Sequence, residues 1–304
     1  MTTLNVRIHA LEHNIEIIKK LASDSLIIAV LKGNAYGLGL SKFATFLQAR
    51  GIKNFAVTEL SDAVELRKKG ILGEILLLTP LYNSEDITNA IKYDITLSIT
   101  SVECGMMLEE TASYINHFCA HAHLCIDTGF GRYGFLCEKT SQISTIINTV
   151  HAMTHVQVTG IYSHFYAACC KNERFVKKQF EDFNNLCTTL TDAGIPLGIR
   201  HISSSSSLVR FPYMNLDAVR VGSAFLGRLA VSNPYGFENV CDLTARVDDV
   251  YQLPAGHNIG YGKSCRLSKA STTAVVSAGY FHGLGMTREV TAKRPSPLQL
   301  LHLC

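Results

Sequence analysis

The sequence predicts an α/β chain: a (β/α)8 TIM barrel followed by a short β-rich domain. Three observations carry this. Short apolar runs alternate with segments of helical spacing up to about Arg228. Eight such runs fall within about 230 residues, near the usual size of a barrel. Beyond Arg228 the helical spacing gives way to two-residue alternation. The expected domains are therefore 1–230 and 231–304.

The first run, Leu26–Leu31, is continuously apolar, as a strand covered on both faces should be. Phe55–Thr58, Glu74–Thr79, Ile95–Ile99, His121–Asp127, Val156–Ser163, Ile199–Ile202 and Ala218–Val221 complete the set. Between them, Leu11, Ile15 and Ile18 mark one helix, and Ile143, Ile146, Ile147 and Val150 another. Phe175, Phe180, Phe183, Leu186 and Leu190 mark a third as core-facing, stopped by Gly194 and Pro196. A doubly wound open sheet is the competing architecture, but no G-x-G-x-x-G follows the first strand. In the last region Val240–Leu253 alternates, Pro254-Ala255-Gly256 reads as a turn, and Ser271–Ser277 is β-rich; Lys293–Cys304 has no strand pattern.

The composition narrows the function. Apolar residues make up 47% and charged residues 17% of the 304, enough for a sizeable core. A net charge of +3 without a basic block gives no reason to expect nucleic acid. The longest apolar runs fall short of a membrane span, and Met1–Arg7 lacks a signal-peptide core, so a cytoplasmic protein is expected. Ten cysteines show no C-x-x-C pair, so they read as reduced, mostly small core residues, and no metal site is expected.

Polar residues recur where the strands end, the face on which barrels build active sites. Lys32 ends the first strand, Asp127–Arg132 follows the fifth, Ser163-His164 ends the sixth, Ser203–Ser207 follows the seventh, and Arg220 sits in the eighth before Gly222 and Ser223. A lysine enclosed at a buried strand tip can lose its proton and act as a nucleophile. Serine hydroxyls and free backbone N–H groups after the last two strands suit a phosphate. Lysine plus phosphate points to pyridoxal 5'-phosphate (PLP), which forms a Schiff base with lysine. Taken singly, each residue has a structural alternative: a snorkelling Lys32, a solvated serine loop, a core His164, an ion-paired Arg220.

Ordered motifs decide between these readings. Ala29-Val30-Leu31-Lys32-Gly33-Asn34-Ala35-Tyr36-Gly37, His123–Gly134, Ser163-His164-Phe165, Val219-Arg220-Val221-Gly222, Ile259-Gly260-Tyr261-Gly262 and Ala278-Gly279-Tyr280 occur in the order and spacing of one family. The chain resembles the PLP-dependent alanine racemases, the fold-type III amino-acid racemases, over roughly Leu4 to Gly283. The resemblance implies an isomerase that converts L-alanine to D-alanine, a peptidoglycan precursor. Lys32 would bind PLP covalently and serve as one base, with Tyr261 as the other. Tyr36, Ser205, Gly222 and Ser223 would hold the phosphate with Ser204 adjacent in the cofactor site, His164 would flank the ring, Arg220 would bond the pyridine nitrogen, and Arg132 would help hold the substrate carboxylate. Tyr261 would come from the second subunit of a head-to-tail homodimer. A racemase for serine or a basic amino acid, a PLP-homeostasis protein and a decarboxylase are the alternatives.

Several positions depart from the family pattern. Cys125 stands where a lysine is common, Ser204 where asparagine is, His282 where aspartate is, and Leu226 where tyrosine is. The family's Met-Asp segment and C-terminal tyrosine are not evident before Cys304, so the last domain is expected to be incomplete.

Overall fold

The computed structural model describes residues 2–115 and 119–284. Two compact units divide them: Arg7–Val240, and a second in which the first six residues join those from Cys241 onward. The Lys293–Cys304 tail lies outside the described residues.

The larger unit is a barrel. Its parallel strands are β1 (Leu26–Val30), β2 (Asn54–Val57), β3 (Ile75–Leu77), β4 (Thr96–Ile99), β5 (Ala120–Asp127), β6 (Val156–Tyr162), β7 (Ile199–His201) and β8 (Ala218–Val221). They pair in the order β8-β1-β2-β3-β4-β5-β6-β7. No ladder joins β7 to β8; there the Arg220 N–H donates to the Ser203 carbonyl just past β7, at 3.0 Å. Ile28, Ala56, Leu76 and Ala218 form a fully buried cluster from four adjacent strands. Burying each Leu, Ile or Phe side chain contributes about 1.5–3 kcal/mol.

The helices follow the apolar spacing. Ile8–Ala22 buries Leu11, Ile15 and Ile18, and Thr140–Ala152 buries Ile146. Asn83 and Ser101 cap the helices before β4 and β5, each side chain accepting a backbone N–H from three residues on. In Arg174–Asp192 the buried stripe is Val176, Phe183, Leu186 and Leu190. Phe175, expected in the core, is instead 47% exposed and meets the Tyr166 ring at 6.1 Å. The helix begins with Phe175 facing outward, so Val176 takes the inward position. The cysteines also depart from the core reading: Cys104, Cys125 and Cys187 are buried, but Cys119, Cys169, Cys170 and Cys265 are exposed.

The smaller unit is built of antiparallel ribbons. Thr2–Val6 pairs with Cys241–Ala245, Val247–Leu253 with Ser271–Val276, and Asn258–Ile259 with Cys265–Arg266. Gly256 makes the expected turn at φ +85°, its N–H bonded to Leu267 O at 2.7 Å. No described helix is long and apolar enough to cross a membrane.

Candidate active site

A cavity of about 450 Å³ opens where the barrel strands end. Its wall includes Lys32, Tyr36, Arg132, His164, Ser204, Ser205, Arg220, Gly222 and Ser223. Nine of the ten residues singled out from the sequence therefore meet around one space. The tenth, Tyr261, lies in the smaller unit on a short turn and is 83% exposed.

Past β1 the backbone winds into one left-handed turn. Gly33, Asn34, Ala35 and Tyr36 have φ of +61°, +54°, +54° and +56°. L-residues resist this geometry at roughly 1–2 kcal/mol each. Asn34 Oδ1 helps hold it by accepting the Leu40 N–H at 2.8 Å. The turn carries Lys32 to the cavity, where it is exposed rather than enclosed as the strand-tip reading expected. It also carries Tyr36 across to Gly222, where a Cβ would stand 2.1 Å from the Tyr36 hydroxyl. Only glycine admits that approach. Ser205 Oγ faces the same segment, accepting the Gly222 and Ala224 N–H groups at 3.1 and 3.3 Å.

Arg220 forms the floor and is 5% exposed. Nη1 donates to His201 Nδ1 at 2.6 Å and His201 O at 3.1 Å; Nη2 donates to Ser163 O at 2.6 Å and His164 Nδ1 at 3.1 Å. Nε is bonded to no described residue, so Arg220, which lines the cavity, keeps one donor uncommitted. Burial lowers Arg220 to about 10, still protonated at neutral pH. Burial, then the charges of Arg220, Arg132 and Lys32, push His164 down to about 3. His164 is therefore neutral, as its acceptance from Arg220 requires.

Arg132 rides on the loop after β5. Asp127 organises that loop: Oδ1 accepts the N–H groups of Gly129 and Phe130 at 2.8 Å, and Oδ2 that of Gly131 at 2.9 Å. The Arg132 guanidinium lies 4.5 Å from the Phe130 ring centroid. Cys125, in the cavity wall, donates its thiol to Tyr133 O at 3.5 Å, and burial pushes it up to about 11. A neutral thiol cannot hold Arg132 by charge; the guanidinium instead lies over the Phe130 ring.

The sequence reading did not single out Glu74, His123 or Tyr162. His123 and His201 are wholly buried inside the barrel, and the Tyr162 ring stacks on His201 at 5.1 Å. Alternation in Ala120–Asp127 was the available signal, since it points His123 inward with Cys125 and Asp127.

Fold and site together define a barrel enzyme with a lysine at the cavity mouth and a buried arginine at its floor. Residues 6–229 match the alanine racemase N-terminal domain, and residues 240–296 the C-terminal domain. Alanine racemase 1 of Caldanaerobacter subterraneus is 33% identical over 289 residues, covering 93% of this chain and 73% of the relative. A protein named amino-acid racemase from Enterococcus faecalis is 31% identical, covering 90% of this chain and 39% of its own. The crystal structure of alanine racemase from Bacillus anthracis with bound L-Ala-P superposes with a TM-score of 0.82 at 27% identity, covering 93% of this chain and 73% of that one. The chain belongs to the alanine racemase family, and it is an amino-acid racemase, an isomerase.

The family depends on PLP, and the cavity's donor set fits that group. It offers an accessible amine at Lys32, an uncommitted arginine N–H at the floor, and hydroxyls at Tyr36, Ser204 and Ser223 beside a glycine that no side chain could replace without collision.

Proposed function

We propose that this chain interconverts the enantiomers of an amino acid, L-alanine and D-alanine first among them, with PLP held in the cavity. The observation that carries the reading is Arg220: a buried guanidinium, four-fold anchored, with one donor left over, lining the same cavity as an accessible lysine. When bound, PLP supplies an aldehyde that condenses with amines and a ring that draws electron density from the Cα–H bond.

The chain's own residues then divide the work. Tyr36, Ser204, Ser205, Gly222 and Ser223 hold the phosphate, and His164 lies beside the ring. Arg220 can donate but not accept, so it leaves the ring nitrogen unprotonated. That weakens electron withdrawal and restrains side reactions such as transamination. Arg132 holds the substrate carboxylate. Lys32 Nζ exchanges the proton on one face of Cα and Tyr261 Oη on the other, as inversion requires. Tyr261 is 83% exposed, as a group delivered to a second copy would be, and the proposed working form is a head-to-tail homodimer in the cytoplasm. A broader substrate range, including serine or basic amino acids, is the second reading, favoured by the Enterococcus relative named simply amino-acid racemase.

Incubation with L-alanine in D2O followed by chiral analysis tests the reading. The expected product is D-alanine carrying deuterium at Cα, and Tyr261→Phe should lose most of it. PLP binding without exchange would identify a binding protein instead, and no PLP binding by the intact chain would sink the proposal.

A further inference from the structure

A file of buried polar groups runs from the cavity floor toward the far end of the barrel, and the proton transfers proposed above do not use it. Arg220 Nη1 stands 2.6 Å from His201 Nδ1, His201 Nε2 stands 3.0 Å from His123 Nδ1, and His123 Nε2 stands 3.1 Å from Glu74 Oε1. Glu74 immediately precedes β3, His123 lies within β5, His201 ends β7 and Arg220 lies in β8. The file therefore starts at the N-terminal end of the barrel and finishes where the strands end.

Chemistry gives the file a direction. A guanidinium has no acceptor, so His201 Nδ1 must be bare and its proton must sit on Nε2. That proton points at His123 Nδ1, which must then also be bare, leaving the His123 proton on Nε2. His123 Nε2 meets the Glu74 carboxylate off the ideal hydrogen-bond line and has no other partner. Both rings thus turn a lone pair toward Arg220; the His201 N–H is aimed at His123, and the His123 N–H lies near the Glu74 carboxylate without a hydrogen bond to it. Dipoles aligned this way carry the carboxylate's negative potential inward to the guanidinium.

Arg220 needs that potential. It has no direct carboxylate partner among the described residues, and a buried, unpaired cation is costly. Asp127, the carboxylate in the cavity wall, is committed to backbone N–H groups. Burial alone would raise the Glu74 carboxyl, but contacts with His123 and Thr96 outweigh it and the net shift is downward. The rings are also held in place. Tyr162 stacks on His201 and is anchored through its hydroxyl to Ser98 Oγ at 2.8 Å. Gly160 leaves room for His123, since a Cβ there would fall 2.5 Å from Nε2.

We propose that Glu74 is a remote positioning residue, which acts through neutral His123 and His201 to supply the counter-charge and orientation that hold Arg220 toward the cofactor's ring nitrogen. The role toward the cofactor rests on the PLP reading above; the tautomer chain does not.

Two substitutions separate charge from structure. Glu74→Gln removes the charge but keeps an oxygen for His123 and for Thr96, whose hydroxyl donates to it at 3.2 Å, at a side chain already 25% exposed. His201→Asn keeps an acceptor near Arg220 but severs the link to His123. Nitrogen NMR of the full-length, histidine-labelled protein without cofactor should show both rings neutral with the proton on Nε2. Glu74→Gln should leave both tautomers in place, since Arg220 sets them from the other end, and should shift the His123 Nε2 resonance. In equilibrium dialysis each variant should bind PLP roughly three- to thirtyfold more weakly, with the double variant no worse than either single. The absorbance maximum of bound PLP should shift in both. A proton on Nδ1 of either ring in the parent overturns the proposal, as do additive losses or unchanged affinity and spectrum in Glu74→Gln. Failure of the parent to bind PLP overturns the cofactor reading itself, whereas normal parental binding with unchanged variants overturns only the relay.

Discussion

Gly222→Ala is the sharpest single perturbation of the site. The new methyl carbon would stand 2.1 Å from the Tyr36 hydroxyl, 2.8 Å from Cζ and 2.9 Å from Cε2, where ordinary contact begins at 3.4 Å. Tyr36 must retreat by more than about 1 Å. The clashing atoms belong to the far end of the Tyr36 side chain, so the ring can give by turning about its side-chain bonds, and its hydroxyl is what loses its place. Overpacking of this kind costs about 1–3 kcal/mol. For a unit of this size that lowers the melting temperature by about 2–12 °C. The functional cost should be larger, since a displacement of 1 Å in a positioning group can cost about 100-fold in rate. Thermal unfolding of the cofactor-free protein and PLP titration would measure the two effects separately. Adding Tyr36→Phe should restore part of the stability, because it removes the nearest atom but leaves the ring carbons. An alanine variant that melts and binds PLP like the parent would refute the cradle.

The remaining expectations are simpler. Lys32→Ala should abolish racemisation and the absorbance band of lysine-bound PLP while changing stability by less than about 0.5 kcal/mol, since Lys32 is exposed; a retained band would place the covalent anchor elsewhere. Asp127→Ala should free three backbone N–H groups and loosen the Arg132 loop, raising KM more than it lowers kcat, which steady-state kinetics would resolve. Acid should weaken the fold through His164. Its folded-state value, about 3, lies below the unfolded one, so its contribution is complete above roughly pH 6.5 and is lost as pH falls toward 3. His201, lowered by burial in the same direction, adds to that slope, and His164→Gln should flatten it in denaturant melts recorded against pH.

Much of the fold was legible because barrel strands are buried on both faces and read as apolar runs of four to eight residues. The inward stripe of the Arg174–Asp192 helix was legible for the same reason, except at Phe175, where spacing could not show that the first turn faces outward. The site was legible as strand-end positions. Lys32, Arg132, His164, Ser204, Ser205, Arg220, Gly222 and Ser223 lie in or just past strands, and a barrel collects all such positions on one rim. The pairing of Thr2–Val6 with Cys241–Ala245 left no mark, because antiparallel partners so far apart share no local pattern.

The barrel, the family and the roster of strand-end residues follow from local periodicity and motif order, which any stretch of chain carries on its own. How those residues are held emerges only once the strands pack. Three consecutive non-glycine residues turn left-handed past β1, which their propensities would not have suggested. Glu74, His123, His201 and Arg220 come into one file because four strands converge on the barrel interior. A hydrogen bond between buried side chains depends on distance in space, and separation along the chain carries almost no information about it.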